Sequence, residues 1–244
     1  MQFLHKSLFL CKGNKKLYKK CRFFDFFCIF ASKKIDRARN MSEINDYRKE
    51  LKSRIIDYAM DEFYKRGIKA VKMDEISQGL HVSKRTVYEI FGDKEELLLA
   101  GLKSRDEQMR KQLDIYACNE AHNVIDVLGY FYKVQMEVNS AIGVSFFEEI
   151  HRMPRILEYL KEKHNREYVG RVKFMKAGIT EGVFRTDVNY ELMLEIVDAT
   201  MKEIMHQQLY KENTMQEIFD NYFLVIIRGF CTERGVALLN KAIE

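Results

Sequence analysis

The chain has 244 residues, 47% of them hydrophobic, which is enough to bury one or two cores. It holds no apolar run of about 18 residues, so no transmembrane helix is expected. A single proline (Pro154), no tryptophan and long stretches of 3.6-residue periodicity exclude a strand-rich fold and point to an all-α protein. The formal charge of +5 is uneven: residues 1–40 carry eleven Lys or Arg against two Asp, and the rest holds 30 bases and 34 acids. Beyond residue 40 the chain is slightly acidic, so any nucleic-acid face there must be a local basic patch.

Residues 1–40 also hold seven of the 17 phenylalanines and three of the five cysteines, Cys11, Cys21 and Cys28. The run Phe23 to Phe30 is apolar but short and interrupted by Asp25. A secretory signal and a basic arm for DNA or a membrane surface both fit this composition. The preferred reading is translated AT-rich upstream DNA, with the natural protein opening at Met41. The segment is then expected to be disordered or weakly helical. The remaining cysteines, Cys118 and Cys231, lie far apart and are expected as reduced thiols in the cytoplasm.

The most informative segment follows at Asp74 to Leu97. A first helix is expected from Asp74 to about Leu80, with Ile76 and Leu80 sharing one face. His81, Val82 and Ser83 make a turn. Ser83 can cap a second helix by accepting from the backbone N–H of Arg85 or Thr86. That helix runs from Lys84 to about Phe91 and buries Val87 and Phe91. Lys84, Arg85, Thr86, Tyr88 and Glu89 stay largely exposed. Two cations at a helix N-terminus oppose the helix dipole unless an anion compensates, and a DNA backbone supplies one. The pattern is that of a helix-turn-helix whose second helix enters the major groove.

Arg54-Ile55-Ile56-Asp57-Tyr58-Ala59, then Phe63 and Gly67, then Ile76, Val82-Ser83-Lys84, Thr86, Tyr88, Phe91 and Lys94-Glu95-Glu96-Leu97, resemble the DNA-binding domain of the tetracycline-repressor (TetR) family. The resemblance covers about Lys49 to Leu102 without gaps. It departs from the family pattern at His81, where glycine is usual, at Lys72, where a Ser or Thr cap is usual, and at Ile90, where His is frequent. The resemblance implies a three-helix DNA-binding domain over 41–95 and a helical effector-binding and dimerisation domain over 96–244. The expected partners are a double-stranded palindromic operator, a second copy of the chain and an unidentified small-molecule effector, with no membrane. Lys84, Arg85 and Tyr88 are the expected base contacts. Ser83, Thr86, Tyr88 and Lys94 are the expected phosphate contacts.

Further along, helices are expected from Leu97 to about Ala117, from Ala121 to Ser140, from Gly143 to Met153, and from Pro154 to about Gly178. A turn over Glu181 to Asp187 precedes a helix capped by Asn189 and reaching about Tyr210. Thr214 and Glu217 form a capping box for a last helix to about Asn240. The last two helices carry more apolar surface than one small domain needs to bury. Leu192, Ile196, Ala199, Ile218, Tyr222, Val225 and Ile226 are therefore the expected face toward a second copy. Following the family resemblance, Tyr130, Phe131, Met136, Phe146, Phe147, His151, Phe174 and Met175 are the candidate walls of the effector pocket.

No cofactor, metal or catalytic residue is expected, since the chain has no phosphate-binding glycine loop and no nucleophile turn. One rival is a DNA-binding regulator without an effector, acting through protein contacts. Another comes from Glu148-x-x-His151 and Glu203-x-x-His206, which on facing helices would resemble half of a di-iron carboxylate site, with Glu137, Glu181 or Glu195 as extra ligands. A metal effector site at His151 or His206 belongs with that reading.

Overall fold

The computed structural model describes the backbone of residues 37–244 and the side chains from 46 onward. The expectations for residues 1–36 lie outside the described residues. Helix α1 (Arg37–Arg66) runs through Met41 without a break. Its stripe of Ile55, Ala59, Met60 and Phe63 is fully buried. It stops at Gly67, whose φ of 84° only glycine adopts freely, and whose N–H bonds Phe63 O at 2.9 Å.

The next two helices, α2 (Met73–Gly79) and α3 (Lys84–Ile90), form the helix-turn-helix. Helix α4 (Lys94–Asn119) starts three residues before Leu97, because Asp93 caps it by accepting from Glu96 N. Helix α5 (Val124–Ser140) starts later than Ala121, where Asn123 caps it. Then come α6 (Val144–Ile150) and α7 (Pro154–Thr180), with proline in the first turn as expected.

Helix α8 (Tyr190–His206) is capped by Asn189 and ends short of Tyr210, because Gln208 turns left-handed at φ 56°. A capping box of Thr214 and Glu217 opens α9 (Met215–Ile218). A π-helical turn over Phe219–Phe223 leads into α10 (Leu224–Phe230), and α11 (Glu233–Ile243) ends the chain.

The single helix expected from Thr214 to Asn240 is therefore broken. Cys231 is extended and bridges antiparallel to Phe184. Arg185 N donates to Phe230 O at 2.9 Å and Thr232 N donates to Val183 O at 3.0 Å. The turn after α7 thus takes the backbone groups that a continuing helix would use, and Thr232 caps α11 by accepting from Gly235 N.

One core joins α1–α4 to Phe146 and Ile150 of α6 and Ile156 of α7. A second holds Ile125, Met175, Phe184, Leu194, Phe230 and Leu239 from α5, α7, α8, α10 and α11. The short helix α6 belongs to the first core. It is fastened by Gly143 N donating to Tyr64 O at 2.8 Å and by Lys69 N donating to Glu149 Oε2 at 2.7 Å.

Candidate nucleic-acid interface

Lys72 stands at the N-cap of α2 and supplies no side-chain cap, so the helix relies on Asp74 and Glu75 in its first turn. Ile76 is fully buried and Leu80 packs against the same core. The chain then turns through His81 at φ 55°, a left-handed backbone on a non-glycine residue. Val82 N donates to Ser77 O at 3.0 Å, which closes the turn.

Ser83 Oγ accepts from Thr86 N at 3.0 Å and lies 2.7 Å from Thr86 Oγ1. The two hydroxyls expected on phosphates are thus held as one pair at the start of α3. Ser83→Ala removes the cap and is expected to cost about 0.5–2 kcal/mol of stability, read as a lower urea midpoint. An unchanged midpoint would show that the cap is dispensable.

Val87 and Phe91 anchor α3 in the core, as their spacing demands. That fixes which side of α3 faces outward. Tyr88 is 42% exposed and Arg85 stands beside it in solvent. Ile90 packs against the core. Neither cation at the helix start is bare. Lys84 Nζ sits 2.9 Å from both carboxylate oxygens of Asp74 and 5.8 Å from the Tyr88 ring centroid. Arg85 Nε donates to Glu89 Oε1 at 2.7 Å. These hydrogen bonds raise the pKa of Lys84 and of Arg85, so both remain cationic. The carboxylates hold the cations in place and must yield them to an incoming polyanion. The Arg85–Glu89 spacing of four was visible in the sequence; the Lys84–Asp74 contact, ten residues apart, was not.

Lys94 Nζ donates to Val71 O at 2.8 Å and to Lys69 O at 3.2 Å, fastening the start of α4 to the loop before α2. Partial burial lowers its pKa. Arg66 ties the same loop region to α2 through Glu75 at 2.8 Å.

The candidate pocket residues do not surround one cavity. Met136 and Phe147 line a cleft of about 570 Å3 whose wall also includes Ile142, Val144, Tyr210 and Met215. Tyr130, stacked on Tyr116 with ring centroids 4.2 Å apart, lines a second cleft of about 390 Å3. Phe146 is buried in the first core, and Met175, with Phe174 against it, lies in the second. Phe131 packs toward Phe223 at 6.0 Å. His151 Nδ1 lies 2.6 Å from Phe147 O at the end of α6.

Of the apolar face expected toward a second copy, Leu192, Ile196 and Val225 are 52%, 54% and 56% exposed. Ala199 is exposed, Tyr222 and Ile226 are half-buried, and Ile218 is buried against Ile204 and Tyr210. Among the described residues no three His, Cys, Asp or Glu side chains converge as metal ligands. Glu148 is held by Lys211 at 2.5 Å and His206 is exposed, so the two Glu-x-x-His pairs do not form the site a di-iron enzyme needs. No helix among the described residues is long and apolar enough to cross a membrane.

Comparison with known proteins agrees with this geometry. Residues 55–100 match the sequence model of the bacterial regulatory proteins of the tetR family. The HTH-type transcriptional repressor KstR2 of Mycobacterium tuberculosis is 24% identical over 211 residues, spanning 81% of this chain and 99% of the relative. Among solved structures, a protein from Saccharomonospora viridis, assigned as a transcriptional regulator and crystallised in complex with choline, superposes with a TM-score of 0.59. It is 18% identical and covers 76% of this chain and all (100%) of its own. The TetR family protein CprB from S. coelicolor A3(2) gives a TM-score of 0.57 at 14% identity, covering 80% of this chain and 96% of its own. Residues 55–100 are thus a DNA-binding domain of the tetR type, and the chain, similar over most of its length to a transcriptional repressor, is a DNA-binding transcriptional regulator.

Proposed function

We propose that the protein is a cytoplasmic repressor that binds a palindromic operator as a homodimer and is released by a small-molecule effector, with no catalytic role. The observation that carries this reading is the outward face of α3, where Lys84, Arg85, Thr86 and Tyr88 stand together on a helix anchored by Val87 and Phe91. The naming of KstR2 as a repressor supports the direction of control, and the choline complex of the Saccharomonospora protein supports a small-molecule effector.

The larger cleft offers the effector a place with a mechanical outlet. Val144 and Phe147 of α6 line it, while Phe146 and Ile150 of the same helix are buried in the core of the DNA-binding helices. An occupant that displaces α6 pulls on Lys69 through Glu149 and on Tyr64 through Gly143. The change in DNA affinity cannot exceed the effector's own preference between the two states.

Base contact falls to Lys84, Arg85 and Tyr88, and positioning on phosphate to Ser83, Thr86 and Tyr88. Lys94 reaches a phosphate only by leaving its two carbonyl partners. The test starts from duplexes selected by the full chain from a random library. Arg85→Ala is expected to lose about 1–3 kcal/mol on its preferred base pair and to relax choice there. Because truncating Arg85 leaves Glu89 without its partner beside the phosphates, the Arg85→Ala/Glu89→Ala variant is measured too. A loss equal on every sequence in both variants would remove Arg85 from base reading, and failure to enrich any duplex would remove the whole proposal.

A further inference from the structure

We infer that the DNA interface extends beyond the helix-turn-helix onto the N-terminal part of α1, where Arg48 and Lys52, flanked by Lys49, grip the phosphate backbone beside the recognition helix. This rests on the reading of the chain as a DNA-binding regulator. The stretch lies before residue 55, where the match to the family's sequence model begins, and Arg48 precedes the resemblance that starts at about Lys49.

Helical spacing places these cations. Arg48, Lys52 and Ile56 are successive fours, and the same stripe continues through Ala59 to Phe63. From Ile56 onward the stripe is buried in the core that α1 shares with α2, α3 and α4. Before it, the stripe runs past the end of the core, and Arg48, Lys49 and Lys52 are exposed. The face that points at the helix-turn-helix therefore changes from apolar to basic just where the core runs out. Asp46 and Glu50 fall on the opposite side of the helix, at 100° per residue. The cations are thus gathered on the side of α3 and the acids are turned away from it.

Lys52 fixes the direction. Its Nζ lies 5.6 Å from the ring centroid of Phe91, the residue that ends α3. Phe91 itself is turned into the core, so on this reading Lys52 stands beside the C-terminal end of α3, where a duplex on the outward face would extend past the helix. The phosphates bordering its groove come within reach of Lys52 and, one helical turn of about 5.4 Å further, of Arg48. Lys84 and Arg85 must first leave Asp74 and Glu89. Among the described residues no carboxylate is paired with Arg48 or Lys52, so both are available to an anion without that exchange. Contacts of this kind carry no base information and act through counterion release.

The experiment compares the full chain with Arg48→Gln/Lys52→Gln in anisotropy titrations over a range of KCl concentrations. The probes are a selected duplex, the same duplex trimmed by a few base pairs at each end, and random-sequence DNA. The slope of log K against log salt is expected to fall by about 1.8, at about 0.9 per phosphate, with affinity roughly ten- to thirtyfold lower at 0.15 M salt on every sequence alike. Trimming should weaken the parent chain and leave the variant nearly unchanged. Arg48→Lys/Lys52→Arg should restore the slope, which separates lost charge from damaged packing, and Asp46→Asn/Glu50→Gln should not reduce it. An unchanged slope in the double Gln variant, with the fold intact by thermal melting, would overturn the proposal. If the parent chain itself selects no duplex, the regulator reading fails first and takes this one with it.

Discussion

Ile196→Asp, alone or with Leu192→Asp, is expected to leave each protomer folded yet to lower operator affinity by roughly 10^3-fold or more, toward the non-specific level. Leu192, Ile196 and Ala199 follow one another by four and three residues along α8 and are exposed, with Val225 of α10 exposed as well. An aspartate there meets water in a lone protomer and costs little. In a two-fold bundle each aspartate is buried and faces its own copy, because a two-fold axis brings the same patch of both chains together. The loss of affinity then comes from losing the second half-site, not from any change at α3. Sedimentation should show the variant as a monomer while the parent chain sediments as a dimer, with melting of the protomer little changed. A parent chain that is monomeric at operator-binding concentrations, or a monomeric variant that keeps full operator affinity, would sink the dimer proposal.

The parts of the fold that could be read from the sequence are those decided within a few residues. Ser83 caps α3 three residues ahead of Thr86 N, Pro154 opens α7, Asn189 opens α8, and Thr214 with Glu217 opens α9. The turn position usually held by glycine in the family pattern is His81, and its φ of 55° is the left-handed backbone that glycine adopts freely. Each of these is a local competition for backbone hydrogen bonds, settled by a side chain at a fixed offset. What the sequence could not settle depends on partners far along the chain. Lys84 finds Asp74 across the turn, and the helix expected to run on to Asn240 stops at Phe230 because Val183 and Arg185 take its hydrogen bonds. The aromatic and Met residues of the middle helices announced burial but not which cavity they would line. Phe146 and Phe147 are neighbours in sequence, yet one is in the core of the DNA-binding helices and the other at the cleft.

That break after Phe230 makes the fold sensitive to a single added methyl group. In Gly235→Ala the new Cβ would sit 2.1 Å from Val183 O and 3.0 Å from Cys231 Cβ. The carbonyl cannot swing aside, since it also accepts from Thr232 N at 3.0 Å, and Thr232 in turn caps α11 at Gly235 N. Either α11 lifts away or the Phe184–Cys231 bridge opens, and both expose the core that holds Phe184, Phe230 and Leu239. Ordinary overpacking costs about 1–3 kcal/mol, and a clash with fixed backbone is expected at or above the top of that range, about 3 kcal/mol. The matching control is Gly170→Ala in α7, where a Cβ meets nothing within 4 Å. It should stabilise the helix by about 0.5–1 kcal/mol. Urea denaturation followed by circular dichroism reads both. The core of α1–α4 shares none of these contacts, so hydrogen exchange should find the buried stripe of α1 still protected in Gly235→Ala while α10 and α11 exchange faster. Uniform loss of protection would mean that the two cores unfold as one unit. Equal stability of Gly235→Ala and the parent chain would mean that α11 is not held against Val183.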